Sequence, residues 1–134
     1  MKILFVCYGN AHRSPLAEAL LKRLRPDLEV DSAGLHAAIP ISIQVREYLT
    51  KQNAVQYVKD FPQSIDEKNL RDYDLIVAME QSISNAVLSK CPDCVDRIVV
   101  WNIEDPYFLK YENAEKIYKQ IESRVEELAK SSQF

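Results

Sequence analysis

The residues whose types and spacing could do chemistry lie close to the start of this 134-residue chain. Cys7 and Arg13 bracket Tyr8-Gly9-Asn10-Ala11-His12, and Ser14-Pro15 follow at once. A thiol and a guanidinium in one short loop suggest an oxyanion site. The guanidinium is a planar fork that matches two oxygens of a tetrahedral anion, and it does not lose its charge by deprotonation. A neighbouring guanidinium and a helix N-terminus both lower a thiol pKa, so Cys7 is expected as a thiolate near neutral pH. A thiolate inside a phosphate cradle is a nucleophile aimed at phosphorus.

Such a loop needs rigid elements on both sides. Ile3-Leu4-Phe5-Val6 in front is a continuous apolar run with β-branched and aromatic members, the pattern of a strand buried on both faces of a parallel sheet. Leu16-Ala17-Glu18-Ala19-Leu20-Leu21 behind reads as a helix that starts near Ser14 or Pro15, carries Leu16, Ala19, Leu20 and Leu24 on one face, and stops at Arg25-Pro26. Proline fits the first helical position; Ser14 could cap the helix and could equally donate a hydrogen bond to the thiolate. Strand, tight loop and helix together aim unpaired backbone N–H groups at whatever fills the loop. Tyr8, Gly9, Asn10, Ala11, His12 and Ser14 are therefore expected to bind the anion.

Leu28 to Ser32 reads as a second strand ending at Ala33-Gly34, and Ile41 to Asn53 as a helix with Ile43, Val45, Tyr48 and Leu49 over a broad face. Gly34 is one of two glycines, and its place suggests a backbone conformation that other residues resist, against the simpler reading of an ordinary turn. From Ala54 to Ser64 the periodicity is lost, as in a loop. Asp66 to Asp72 reads as a short helix capped by Ser64 or Asp66, Asp74 to Met79 as a third strand, and Ser82 to Lys90 as a helix. Arg97 to Trp101 is the fourth strand, Asn102 to Tyr111 a loop, and about Glu112 to Lys130 a last helix with Ile117, Ile121, Val125 and Leu128 facing the sheet. Alternating strands and helices require parallel pairing with right-handed crossovers. The expected fold is a single α/β domain over 1–134, a doubly wound four-stranded parallel sheet with helices on both faces. Ligands of such sheets bind beyond the strand C-termini at the topological switch point, where Cys7, Ser32-Ala33-Gly34 and the Asp105 loop would converge.

Composition narrows the partners. Seventeen basic residues are scattered among 20 acidic ones for a net charge of −3, which argues against nucleic acid. The N-terminal apolar run is too short for a secretory segment, and no stretch approaches the ~18 apolar residues of a membrane span. A soluble, cytoplasmic, monomeric protein is expected, with no membrane partner. Three cysteines make no closed disulfide framework. Cys91-x-x-Cys94 alone cannot complete a tetrahedral metal site, so neither a metal nor a cofactor is expected, and the pair reads as structural or incidental thiols at the opposite edge of the sheet from Cys7, out of its reach.

In the form VCYGNAHRSPLAEAL, with Asp31-Ser32-Ala33-Gly34, Tyr73 to Met79, and Glu104-Asp105-Pro106-Tyr107 in the same order, the chain resembles the low-molecular-weight protein tyrosine phosphatase family over nearly its whole length. The resemblance implies that family's fold and a phosphatase acting on phosphotyrosine proteins or small aryl phosphate esters through a phosphocysteine. It makes Asp105 the acid and Tyr107, with Phe108, an aromatic wall for the substrate ring. Asn10 becomes the side chain that locks an unusual loop conformation, with Ser32 as its partner. Departures bear on the substrate. His12 stands where the family often has cysteine, and is either a plain loop histidine or a group that tunes Cys7. Leu35-His36-Ala37-Ala38-Ile39 lacks a second aromatic wall, and Lys59-Asp60-Phe61-Pro62 replaces a His-Arg segment. Two alternatives share the loop. A thioredoxin-coupled arsenate reductase would need two further cysteines more widely spaced than Cys91 and Cys94. A phosphoarginine phosphatase stays open because Ala11 leaves room beside Cys7 without a polar contact.

Overall fold

Strands and helices alternate as the hydrophobic pattern requires in the computed structural model, which describes residues 1–131 and so leaves 132–134 of the expected 1–134 domain outside the described residues. The strands are β1 (Lys2–Cys7), β2 (Glu29–Gly34), β3 (Leu75–Ala78) and β4 (Ile98–Val100); the helices are α1 (Arg13–Leu24), α2 (Ile43–Lys51), α3 (Gln81–Lys90) and α4 (Tyr111–Ala129). The sheet has the order β2-β1-β3-β4, and every pair is parallel. β1 lies inside the sheet, with β2 on one side and β3 on the other. The chain reverses its winding there, so the C-terminal end of β1, where Cys7 sits, is the switch point of an open α/β sheet.

Alternation along β1 builds two cores. Ile3, Phe5 and Cys7 join residues of α1, α2 and α4 on one face, while Leu4 and Val6 join Ile83 and Val87 of α3 on the other. Phe5 meets Trp101 at 5.4 Å between ring centroids, which ties the sheet to the segment after β4. On α4 the expected Ile117, Ile121 and Val125 are buried, joined by Ala114 and Tyr118.

Several expectations are corrected by local geometry. α1 begins at Arg13 with His12 at its N-cap and no side-chain cap, so Ser14 does not cap the helix. Leu24 at the end of α1 and Ile43 at the start of α2 are exposed, although the sequence pattern placed both on apolar helix faces. The short helix expected over Asp66 to Asp72 is two 3-10 turns, Ile65–Glu67 and Leu70–Asp72, separated by extended backbone at Lys68 and Asn69. Ser64 does cap the first, in a reciprocal capping box with Glu67. The segment over 54–64 is a loop as expected, but an anchored one: it holds a 3-10 turn at Val55–Tyr57, and its Gln63 carbonyl accepts the Gly34 N–H at 2.9 Å. Cys91 and Cys94 form a disulfide with Cα atoms 5.5 Å apart, which corrects their reading as thiols. Pro92 starts a 3-10 turn directly after the Cys91 cap of α3, and that turn brings residues i and i+3 within bridging range.

The two isoleucines separate buried from exposed apolar positions. Ile121→Ala should lower the stability measured by urea denaturation by about 2–5 kcal/mol, because a fully buried side chain leaves a cavity. Ile43→Ala, at a side chain 72% exposed, should stay within about 0.5 kcal/mol.

Candidate active site

Three elements end at the switch point: β1 delivers Cys7, β2 delivers Gly34, and the segment after β4 delivers Asp105. The loop between β1 and α1 is held from outside by its carbonyls. Those of Cys7, Tyr8 and Ala11 accept N–H bonds from Leu35, His36 and Ser42 at 3.2, 2.8 and 2.9 Å. In a trans peptide the N–H points opposite to the C=O, so the N–H groups of Tyr8, Gly9 and His12 turn toward the loop interior. The Asn10 N–H donates to Cys7 Sγ at 3.2 Å. Loop geometry thus makes a nest of donors around the sulfur, the arrangement that attracts an oxyanion.

Asn10 holds this loop. Its backbone is left-handed, φ 52°, a strained choice for a residue with a Cβ. Its amide makes every bond it can: Nδ2 donates to Ser14 Oγ at 2.8 Å and Ser32 Oγ at 2.9 Å, while Oδ1 accepts from the Gln63 N–H at 2.8 Å and Lys59 Nζ at 3.1 Å. Ser32 Oγ in turn donates to Glu18 Oε1 at 2.5 Å. Ser14 Oγ lies 2.9 Å from Cys7 Sγ and 3.4 Å from the Ala33 carbonyl. Because Asn10 already donates to that hydroxyl, its proton is left for the nearer of the two, the sulfur.

Gly34 is explained by space. Neither glycine has a positive φ, which corrects the conformational reading; instead a Cβ on Gly34 would stand 2.7 Å from Asn10 N, 2.8 Å from Gly9 C and 2.9 Å from Tyr8 O. All three are backbone atoms of the loop and cannot swing aside.

Arg13 is 2% exposed and fastened at its Nη1, which donates to Glu80 and to the Ile103 carbonyl at 2.8 Å. Nη2 lies 3.5 Å from Asp105 Oδ2. Asp105 accepts from the Tyr107 N–H at 3.0 Å. Arg13 and Asp105 border a cavity of about 270 Å³ lined also by Cys7, Tyr8, Ala11, His36, Ile39 and Tyr107. Tyr107 meets Phe108 edge-on at 4.7 Å and His12 edge-on at 5.7 Å. Burial pushes the His12 pKa below 6.5, against the pull of Asp105 and with the help of Arg13, so this imidazole is neutral at neutral pH and adds no cation to the cradle.

Cys7, Arg13, Ser14, Asp105 and Tyr107 therefore come together, with Asn10 and Ser32 behind them. Glu80, Glu18 and Lys59 were not anticipated. Glu80 lies two residues beyond the end of β3, and the end of a parallel strand is where site residues gather, so that signal was present. Lys59 stood out only within the segment that replaces the family's His-Arg stretch, and nothing there tied it to the loop.

A buried thiol ringed by inward-turned N–H groups and a guanidinium, at the switch point of a doubly wound sheet, is an arrangement suited to holding a tetrahedral oxyanion against sulfur. The model of the low molecular weight phosphotyrosine protein phosphatase family matches residues 2–133, and the chain belongs to that family. The low molecular weight protein-tyrosine-phosphatase Wzb of Salmonella typhi is 32% identical over 97% of this chain and 93% of its own length. Two solved structures are similar. The YwlE arginine phosphatase from Geobacillus stearothermophilus is 25% identical with a TM-score of 0.86, over 98% of this chain and 92% of that one. An arsenate reductase from Archaeoglobus fulgidus is 29% identical with a TM-score of 0.79, over 97% of this chain and all of that one. The chain is a hydrolase of the protein-tyrosine-phosphatase class.

Gly34→Ala tests the contact between β2 and the loop. With backbone on all three sides, the loop must shift, and phosphatase turnover should fall by about a hundredfold. Circular dichroism should show the fold intact.

Proposed function

We propose that this enzyme hydrolyses phosphotyrosine or aryl phosphate monoesters through a phosphocysteine on Cys7. The observation that carries the reading is the Cys7 sulfur, held by the Ser14 hydroxyl and the Asn10 N–H, facing Asp105 across a cavity with an aromatic wall. In the first step the sulfur forms a bond to phosphorus as the P–O bond to the phenol breaks. Asp105 gives its proton to the leaving oxygen. The loop N–H groups and Arg13 hold the three equatorial oxygens as charge spreads over them. In the second step Asp105 takes a proton from water, the water oxygen bonds to phosphorus, and the S–P bond breaks. Cys7 leaves as a thiolate, and the hydrogen bond from Ser14 offsets its charge.

Phosphotyrosine is favoured over phosphoarginine by the walls. Tyr8, Ala11, Ile39 and Tyr107 offer ring and methyl surfaces, and Ala11 offers no polar atom to a guanidino group. Arsenate reduction is disfavoured because it needs further thiols, whereas Cys91 and Cys94 are bonded to each other beyond the C-terminal end of α3, at the far end of the sheet from Cys7. The substrate is a tyrosine-phosphorylated protein or a small ester, met in the cytoplasm by a monomeric enzyme. No helix among the described residues is long and apolar enough to cross a membrane.

Cys7→Ser should abolish hydrolysis of an aryl phosphate and leave phosphate binding largely intact, because the cradle is built from backbone and Arg13. Residual hydrolysis above a trace would exclude the covalent route. Asp105→Asn should slow phosphotyrosine, whose leaving group has a pKa of about 10, far more than an activated nitrophenyl ester. Equal losses on the two esters would assign Asp105 a positional role only. Phosphoarginine and thioredoxin-coupled arsenate, assayed beside them, should turn over poorly.

A further inference from the structure

Behind the cradle lies a cation that the chemistry above does not use. Lys59, between α2 and β3, is 10% exposed in its side chain. Its Nζ donates to Asn10 Oδ1 at 3.1 Å and to the Ser32 carbonyl at 2.7 Å, and it stands 3.7 Å from Asp31 Oδ1 and 3.9 Å from Glu18 Oε1. Glu18, on α1, is itself 2% exposed and also accepts from Lys22 at 2.6 Å. Asp31, on β2, also accepts from Lys68 at 2.6 Å and from the Tyr73 hydroxyl at 3.2 Å. From α2, Arg46 donates to the carbonyls of Lys59 and Asp60 at 3.3 and 3.4 Å and holds the segment in place.

We propose that Lys59 is a positioning residue of this active site: its ammonium fixes the Asn10 side chain from behind, and with it the left-handed backbone that aims the loop N–H groups at the oxyanion. The inference rests on the reading of that loop as an oxyanion cradle. A left-handed non-glycine residue persists only where its surroundings over-determine it. Of the four hydrogen bonds that hold the Asn10 amide, the one from Lys59 alone comes from a charged donor, and charged donors make bonds roughly twice as strong as neutral ones. The same ammonium faces two carboxylates. Without it, Asn10 Oδ1 loses a donor and buried Glu18 loses a neighbouring cation, and both changes are costly inside a protein.

Protonation of Lys59 then controls the cradle. Burial is the largest influence on this group and pushes its pKa below 10.5; Glu18 and Asp31 oppose the shift, while Lys68 and Lys22 add to it. As pH rises, the proton leaves before it would from an ordinary lysine, and oxyanion affinity falls in that window. Stability from this group moves the other way, because the unfolded chain holds the proton more tightly and the folded state gains as pH rises from the lowered pKa toward 10.5. A loss of binding there is thus not unfolding by this group.

The probe is benzylphosphonate, a dianion across the range, titrated calorimetrically from about pH 8 to about pH 10.5 with circular dichroism at each point. The wild type should lose affinity toward the alkaline end. Lys59→Arg should bind without that fall, since a guanidinium keeps its proton there. Lys59→Met should bind about tenfold more weakly already at pH 8, the loss of one charge-assisted bond. In the unaltered free protein, carbon-detected NMR should show Asn10 Cγ moving with the same midpoint as Lys59 Cε, a signature that needs no variant. An Asn10 signal that ignores the Lys59 titration, a Lys59→Arg protein that keeps the wild-type fall, or a Lys59→Met protein that binds as the wild type does would each overturn the proposal. None of these measurements involves turnover, so failure to hydrolyse aryl phosphates would count against the phosphatase reading alone.

Discussion

The structure depends on one amide group. Asn10 occupies a left-handed backbone position in the middle of the loop, a conformation that costs about 1–2 kcal/mol for an L-residue and has no glycine there to relieve it. Four hydrogen bonds to three different parts of the chain hold it: Ser14 of α1, Ser32 of β2, and Lys59 and Gln63 of the segment before β3. Even at about 1 kcal/mol net for each, these bonds exceed the strain. The loop can therefore present N–H groups inward before any anion arrives. The amide also explains why the segment over 54–64, which carries no regular secondary structure beyond one short turn, cannot drift: its backbone and a lysine are partners of the loop.

Parallel pairing gives this amide its setting. β1 lies between β2 and β3, so its C-terminal end is flanked on both sides, and the close approach of Gly34 to the loop backbone seals one flank. The other flank is reached by Glu80, two residues beyond β3, and by the chain after β4, whose Ile103 N–H bonds to the Met79 carbonyl at 2.7 Å and whose own carbonyl receives Arg13. Arg13 is thus fixed to two elements distant in sequence. The guanidinium that would grip an oxyanion is aimed by the sheet and not by its own loop.

Elements whose periodicity is set by burial were legible in the sequence. The strands and the four helices follow from where apolar residues fall, and Cys7 and Arg13 from the thiol, the guanidinium and the proline that starts a helix. Helix ends were less legible, because Leu24 and Ile43 continue the apolar pattern of their helices and yet are exposed. Ser14 carries two signals at once. As a hydroxyl before Pro15 it reads as a cap, yet the turn places it over the Cys7 sulfur, where a cap bond is not made. Lys59 was illegible for a different reason: its role comes from a contact 49 residues away, and no local period encodes such a contact. The disulfide was hidden because three cysteines make no closed framework, and neither their count nor their spacing shows that a 3-10 turn brings two sulfurs together.

The buried charges have to be weighed as a set. Taking a single ion out of water costs several kcal/mol, and a small domain has only about 5–15 kcal/mol of net stability. Arg13, Glu18 and Lys59 are all nearly enclosed, so each alone could unfold the protein. Each instead has partners of the opposite sign: Glu80 and Asp105 for Arg13, Lys22 and Lys59 for Glu18, and Glu18 and Asp31 for Lys59. This arrangement adds little to stability compared with an apolar core of the same volume. What it does supply is rigidity, because moving any one member exposes the others without compensation. A loop anchored to such a network would keep the same donors in the same places with or without an oxyanion. The affinity that would otherwise be lost in ordering the loop is kept, which is the physical meaning of a preorganised cradle.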